Sequence, residues 1–275
     1  MSLPAHTTIM STKINPRAEV SPKAVIGTNV SIGPFAIIED GAVIDDYTDI
    51  GGNAYIGTGA RIGKECRIHH GAIIGHQPQD LKYADEPTTC EIGDRTIVRE
   101  YATLHRGTGD GGRTIIGSDC FIMGYVHIAH DCIIGNHVIL ANAVMMAGHC
   151  IVEDFANIGG ITPIHQFVHI GQHCMVGGGS RVRKDVPPYI LAGSEPLIYE
   201  GLNVVGLRRR GFPSSVIEAL ENAYTLIYSS KLNVSQAVGK IKEDPALMSV
   251  VEVQSVLSFI SQSERGIISG RRHPH

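Results

Sequence analysis

Aliphatic residues return at every sixth position along most of this chain. The series starts at Ile14, Val20 and Ile26 and continues to Ile74, resumes at Ile92, Val98 and Leu104, and runs again from Ile116 to Val182. Met146 is its one member that is not Ile, Val or Leu. A unit of six is too short for a helix pair or a propeller blade, but it holds one short strand and one corner. Three such units close a triangular coil of about 18 residues. Coils stacked at the strand spacing of roughly 4.8 Å set each aliphatic side chain above another, with backbone hydrogen bonds running along the axis. The expected fold is therefore mainly β, a three-sided parallel β-helix with an aliphatic interior.

The other positions of the unit agree. The second is often Gly, Asp or Glu, and the third and fourth hold Gly, Asn and Asp, which tolerate the positive φ that a tight corner demands. The fifth is small, as at Ala36, Ala42, Ala54 and Ala60. Cys66, Cys120, Cys132, Cys150 and Cys174 also stand there and are expected to act as small buried hydrophobes. No pair is spaced as CxxC, so neither a zinc knuckle nor a redox dithiol is expected. The absence of Trp suits a core with no room for large rings.

Two segments break the period, HQPQDLKYADEPTTCE after Ile74 and RGTGDGGRTI after Leu104. They predict loops at about 76–91 and 106–115, and long loops inside a regular solenoid usually carry function. The coil is expected to stop in KDVPPY, where Pro187 and Pro188 interrupt the strand pattern. Beyond Gly211 apolar residues fall at helical spacing, with Ser214 or Asn233 as caps of the first two helices. The expected organisation is a flexible extension over 1–13, the β-helix over 14–195, a C-terminal segment and helical domain over 196–268, and a flexible tail over 269–275.

A formal charge of -4 argues against a nucleic-acid partner. No apolar run approaches the roughly 18 residues that would mark a transmembrane helix, and the start lacks the layout of a signal peptide. A cytoplasmic location is expected.

Of 14 histidines, four become neighbours once the chain is wound into coils. The units that begin at 128, 146 and 164 lie on one face in successive coils. They place His130 at the third position, His149 at the fourth and His165 at the second, while His127 closes the preceding unit. These positions point outward or sit on a corner. An imidazole accepts a proton near neutral pH, and a carboxylate that fixes its tautomer makes it a better base. His130, followed directly by Asp131, is the candidate. A zinc site would need three neutral imidazoles. Ligands two coils apart should differ by about 36 residues, but His130 and His165 differ by 35, so no metal is expected.

The strings GYVHIAHDCIIGNHVILAN, MMAGHCIVEDFANIGGITPIHQF, GQHCMVGGGS, QPQDLKYADEPT, EYATLHRGT and GLNVVGLRRRGF together resemble the acyl-[acyl-carrier-protein]--UDP-N-acetylglucosamine O-acyltransferases of the hexapeptide-repeat transferases. The likeness runs from Ile14 to about Gly266, with the motifs in the family's order. It implies a left-handed coil, which periodicity alone does not set. It implies transfer of an (R)-3-hydroxyacyl group from acyl carrier protein to the 3-hydroxyl of UDP-N-acetylglucosamine, the first step of lipid A biosynthesis. His130 is then the base, Asp131 its orienting partner, and the Gly148 N–H the oxyanion donor. Gln79, Asp80 and Lys82 are expected to reach the substrates, with His127, His149, His165 and Gln166 completing the pocket. Asn203 and Arg210 match residues that hold the UDP portion, and Arg209, in the basic run beside them, is expected to meet the phosphopantetheine or the acidic carrier. Gly178 matches the position that sets acyl-chain length, and its lack of a side chain favours a long chain. Val205 replaces an acidic residue of the family, and Pro196 stands where a second length-limiting residue is expected. The resemblance also implies a homotrimer with active sites between subunits and no cofactor, because the donor rides on the carrier's phosphopantetheine. A 3-amino analogue of the acceptor sugar fits as well, and a zinc-dependent β-helix enzyme resembling carbonic anhydrase is the rival class.

Overall fold

Strands of two residues alternate with corners from Lys13 onward, and they stack into three parallel sheets. The computed structural model describes residues 11–109 and 111–270. Its architecture is a left-handed parallel β-helix followed by a small helical region. Face one runs from Lys13–Ile14 to Ile198–Leu202, face two from Glu19–Val20 to Pro163–Ile164, and face three from Val25–Ile26 to His169–Ile170. Register sets like on like: Ile32 pairs with Ile14, Ile56 with Ile38 and Ile62 with Ile44. The inward aliphatics from Ile32 to Val182 are buried, whereas Ile14, in the outermost described coil, is 47% exposed. Burial in this column is the main driving term, on the order of 1.5–3 kcal/mol for each fully buried side chain.

All six cysteines are buried and free. Cys90 joins the other five, because it pairs with Ala60 and thus occupies the same small inward position. The preceding loop hid that register in the sequence. Burial pushes the Cys90 thiol up to about 12, so it is a packing residue and not a nucleophile.

The corners differ from expectation in one respect. Positive φ is confined to the fourth position, and it is held there by Phe35, Tyr47, Tyr125, His137, Phe155 and even Ile161 as well as by Asn and Asp. Rings that stack along an edge offset the left-handed backbone's cost. His137 stacks on Phe155 at 4.5 Å and Phe155 on His173 at 4.8 Å.

Extended strands narrow both loops. Ile73–His76 and Thr89–Ile92 flank the first, Thr103–His105 and Arg113–Ile116 the second, leaving 77–88 and 106–112 outside the strands. Both leave the coil at the end of face two and return on face three, so both rise from the same edge.

Past Pro187 and Pro188 face one continues. Ile190–Gly193 adds to Met175–Val176 in parallel, and Ile198–Leu202 then turns back antiparallel. The prolines sit in the corner, where their missing N–H groups cost no ladder bond. Five helices follow, α1 (Val204–Arg209), α2 (Ser214–Tyr228), α3 (Val234–Glu243), α4 (Pro245–Met248) and α5 (Val251–Gln262). Asn233 caps α3 in a capping box with Gln236. Ser214 does not cap α2: it is the first helical residue, and Pro213 holds the cap position without a side-chain bond. At the ends, the Lys13 N–H donates to Val30 O at 2.8 Å and the Tyr199 N–H to Ser269 O at 2.9 Å. Lys13 and Ser269 are therefore paired where a flexible extension and tail were expected, while residues 1–10 and 271–275 of those segments lie outside the described residues. No described helix is long and apolar enough to cross a membrane.

Candidate active site

The edge between faces two and three collects most of the predicted chemistry. Third-position residues His130, Gly148 and Gln166 stack there in successive coils, and fourth-position residues Asp131, His149 and Phe167 stack beside them. The two loops emerge from this edge in the coils just below and fold toward the histidines.

His130 is held by a network. Its Nδ1 lies 2.8 Å from Asp131 Oδ2. The Asp131 carboxylate also accepts the Thr108 N–H at 3.0 Å and the Thr108 hydroxyl at 2.6 Å, and Asp131's own N–H donates to Thr114 Oγ1 at 2.9 Å. Burial alone would raise the Asp131 carboxyl, but the bonds from Thr108 and His130 outweigh it and hold the group below its ordinary value. An ionised Asp131 can only accept, so the proton on His130 sits on Nδ1. The Nε2 lone pair is left to face the cleft.

Gly148 lies directly above the ring. A Cβ there would meet His130 Cε1 at 2.5 Å and Nε2 at 2.7 Å. Equivalent third-position N–H groups at another edge are capped by the side chain one coil above, as Asn136 is by Asp154 at 2.7 Å. The Gly148 N–H meets no acceptor among the described residues. Beside it opens a cleft of about 410 Å³ lined by Gln79, His127, His130, Met145, Gly148 and Gln166. Here a lone pair that can take a proton and a fixed N–H donor share one wall, which is the geometry that acyl transfer requires.

His127 and His149 join His130. Thr103 Oγ1 lies 2.7 Å from His127 Nδ1, and burial, then the neighbouring His130, lowers the His127 pKa. The His149 ring meets the His130 ring edge-on at 5.1 Å, with Nε2 3.7 Å from Asp131 Oδ2. Asp80 reaches from the first loop to within 4.0 Å of His130 Nε2. His165 stays outside the cleft, exposed, with Nδ1 3.1 Å from Gln166 O. Lys82 points to solvent, and the adjacent Leu81 is exposed to the full extent of its surface.

His130, Asp131 and His149 present ligand atoms within 4.8 Å of one another. Among the described residues they are the trio that could hold a divalent cation, and they differ from the trio of imidazoles weighed from the sequence. Asp131 in that trio is already engaged by Thr108.

The remaining predicted residues lie on other edges. Asn203 caps α1 by accepting the Gly206 N–H at 3.2 Å and donates Nδ2–H to His173 O at 2.9 Å. Arg210 Nη2 donates to Phe155 O at 3.1 Å. Phe155 and His173 belong to the edge between faces three and one, and Arg209 is exposed near it. Gly178 lies on the edge between faces one and two, where a Cβ would stand 3.0 Å from Gly160 O. One chain therefore does not bring Asn203, Arg209, Arg210 or Gly178 to His130.

Thr103, Thr108 and His105 escaped the sequence reading. Thr108 belongs to an interrupting loop, so unit counting could not align it with Asp131. His105, whose ring lies 5.0 Å from that of His127, was legible in principle because Leu104 stacks under Ile128.

Burial, helped by His127, pushes His105 down to about 4, and burial and Arg210 do the same to His173. Both rings start from 6.5, so between pH 6.5 and 4 the unfolded chain binds protons that the folded chain refuses. Stability therefore falls as pH drops through that window. The thermal midpoint is expected to decline from pH 6.5 to 4. His173→Phe, which keeps the stack and removes a Nδ1 that has no partner among the described residues, should flatten the decline. An unchanged slope in the variant would refute the assignment.

Comparison with known proteins adds two family matches. A bacterial transferase hexapeptide model covers residues 113–148, and a model described as UDP-N-acetylglucosamine O-acyltransferase, domain 2, covers residues 185–268. The acyl-[acyl-carrier-protein]--UDP-N-acetylglucosamine O-acyltransferase of Paraburkholderia phymatum is 44% identical over 204 residues, 73% of this chain and 78% of the relative. Among solved structures, the UDP-N-acetylglucosamine acyltransferase of Bacteroides fragilis is 46% identical with a TM-score of 0.88, covering 92% of this chain and 99% of its own. That of Francisella novicida is 35% identical with a TM-score of 0.91, covering 94% and 95%.

Proposed function

The chain belongs to the acyl-[acyl-carrier-protein]--UDP-N-acetylglucosamine O-acyltransferases, and on that premise we propose that His130 is the base with which it acylates its sugar. It is an acyltransferase of the first step of lipid A biosynthesis, moving an (R)-3-hydroxyacyl group from acyl carrier protein to the 3-hydroxyl of UDP-N-acetylglucosamine. The observation that carries the assigned base is the 2.8 Å contact of His130 Nδ1 with Asp131, which turns Nε2 toward the cleft beneath the uncapped Gly148 N–H.

Nε2 takes the proton of the sugar hydroxyl as its oxygen attacks the thioester carbonyl. The tetrahedral oxyanion accepts the Gly148 N–H, a fixed donor of a kind worth roughly 3 kcal/mol of barrier. Collapse expels the thiolate, which recovers the proton from the imidazolium, and the base returns neutral. Asp131 holds the tautomer and stabilises the transient cation, and Thr108 holds Asp131. Gln79 and Asp80 from the first loop, with His127, His149 and Gln166, position the substrates around this centre, while Lys82 and His165, exposed outside the cleft of the single chain, reach the substrates from its rim. Gly178, on another edge, leaves room for a long acyl chain in a site shared with a neighbouring subunit.

The proposed uridine diphosphate contacts Asn203 and Arg210, and Arg209 assigned to the phosphopantetheine or the carrier, lie on a different edge from His130 and so cannot serve the same chain's base. This supports a homotrimer in which one subunit supplies the base and its neighbour the nucleotide contacts. The exposed Leu81 at the loop tip and Met145 and Phe167 beside the cleft are apolar surface that a neighbour would cover.

Two assays test this reading. Purified protein should acylate UDP-N-acetylglucosamine from hydroxyacyl carrier proteins, and a parallel reaction with the 3-amino sugar analogue separates ester from amide formation. In the second, His130→Ala and Arg210→Ala chains, each nearly inactive alone, are unfolded and reassembled together. Random mixing should rebuild about a quarter of the sites. Recovery no greater than the sum of the two parents would refute a site shared between subunits.

A further inference from the structure

We propose that the top of the catalytic edge, formed by Arg181, Arg183, Lys184 and Arg265, is the surface on which the acidic carrier protein docks. This rests on the reading that the acyl donor is carrier-linked. Val182 pairs with Ile164, in the column that descends through Met146 to Ile128. Arg183 and Lys184 thus occupy the same edge as His130, Gly148 and Gln166, and Arg181 continues the outward column of His127, Met145 and Pro163. Three coil rises, about 14 Å at the strand spacing, separate this corner from His130. That span lies within reach of an extended phosphopantetheine arm running along the edge.

The chemistry of the surface fits an acidic protein and not a small anion. Arg181, Arg183 and Lys184 are exposed, and none forms an ion pair with a described carboxylate. Arg265 is drawn beside them by a bond from its Nε–H to Arg183 O at 3.2 Å. Arg181, Arg183 and Lys184 line a depression of about 200 Å³ with exposed Pro196 at its rim and Leu197 and Ile268 beneath. Glu195 is the one carboxylate in its lining. On a chain of net charge -4 this is a local reversal of sign. Cations around an apolar floor suit an acidic helix that carries an apolar side chain, and such a rim acts mainly on association rate and salt dependence.

The test is the variant R181E/R183E/K184E, compared with the wild type in its assembled form. With hydroxyacyl carrier protein as donor, kcat/KM should fall about tenfold at low salt, carried by KM with kcat within twofold, and the gap should close at high salt. The same acyl group on free phosphopantetheine should give wild-type constants, and the Kd of holo carrier protein should rise in calorimetry. The single variant R183Q, with an unchanged elution volume, should show a smaller loss of the same kind. Wild-type constants for carrier-bound donor in R181E/R183E/K184E would overturn the docking surface, as would a loss confined to binding of anionic vesicles. A wild-type protein that transfers from no acyl carrier protein would refute the functional reading itself, and the docking surface with it.

Discussion

Replacing His130 by alanine is expected to lower kcat by about three to four orders of magnitude, the upper part of the range for a positioned general base. The assembly should remain intact. His130 is buried, so the truncation removes packing worth on the order of 1–2 kcal/mol, but it strands no charge, because Asp131 keeps both bonds from Thr108. The inward column under the site, Ile128 and Met146, is untouched. The loss should therefore appear in turnover and not in folding. Full kinetics with an elution profile check it: a fall of less than tenfold in a correctly assembled variant would remove His130 from the chemistry.

Gly148→Ala is expected to be nearly as damaging, for a different reason. Its backbone does not require glycine, since φ at 148 is not positive, and the added methyl leaves the N–H in place. The conflict is with the base: the new Cβ would lie 2.5 Å from His130 Cε1. The ring has to rotate away, breaking its contact with Asp131 and turning Nε2 from the cleft. A loss of at least about a hundredfold in kcat is expected, because small displacements of a reacting group cost that much. Binding of UDP-N-acetylglucosamine should change less than threefold, since the proposed nucleotide contacts Asn203 and Arg210 lie on another edge. A variant with normal turnover would mean that the base does not sit where the structure puts it.

Periodicity made the coil legible almost in full. A period of six leaves little freedom once a side chain must stack on its own image, so the buried column from Ile32 to Val182 could be written down residue by residue. The same arithmetic brought His127, His130 and His149 together, although His165, counted with them, stays outside the cleft. It failed where the chain leaves the period: Thr108, the residue that anchors Asp131, belongs to a loop whose path depends on tertiary contacts. Ser214 was misread as a cap because Pro213 takes that place and Pro is tolerated where no N–H is needed. The aromatic corners were missed for a third reason. Left-handed backbone is costly for Phe155 or His173 alone, and becomes acceptable only when the next coil supplies a ring to stack on. The separation of Asn203 and Arg210 from His130 was visible only in three dimensions, although the resemblance already pointed to sites shared between subunits.

Nitrogen-15 resonance of the histidine rings in the assembled protein reads the assigned base most directly. With Asp131 present, the His130 ring should carry its proton on Nδ1 and show an unprotonated Nε2 at neutral pH. Asp131→Asn should weaken that preference and reduce turnover in step. A wild-type ring protonated on Nε2 would leave no lone pair facing the sugar, and acyl transfer by this residue would be ruled out.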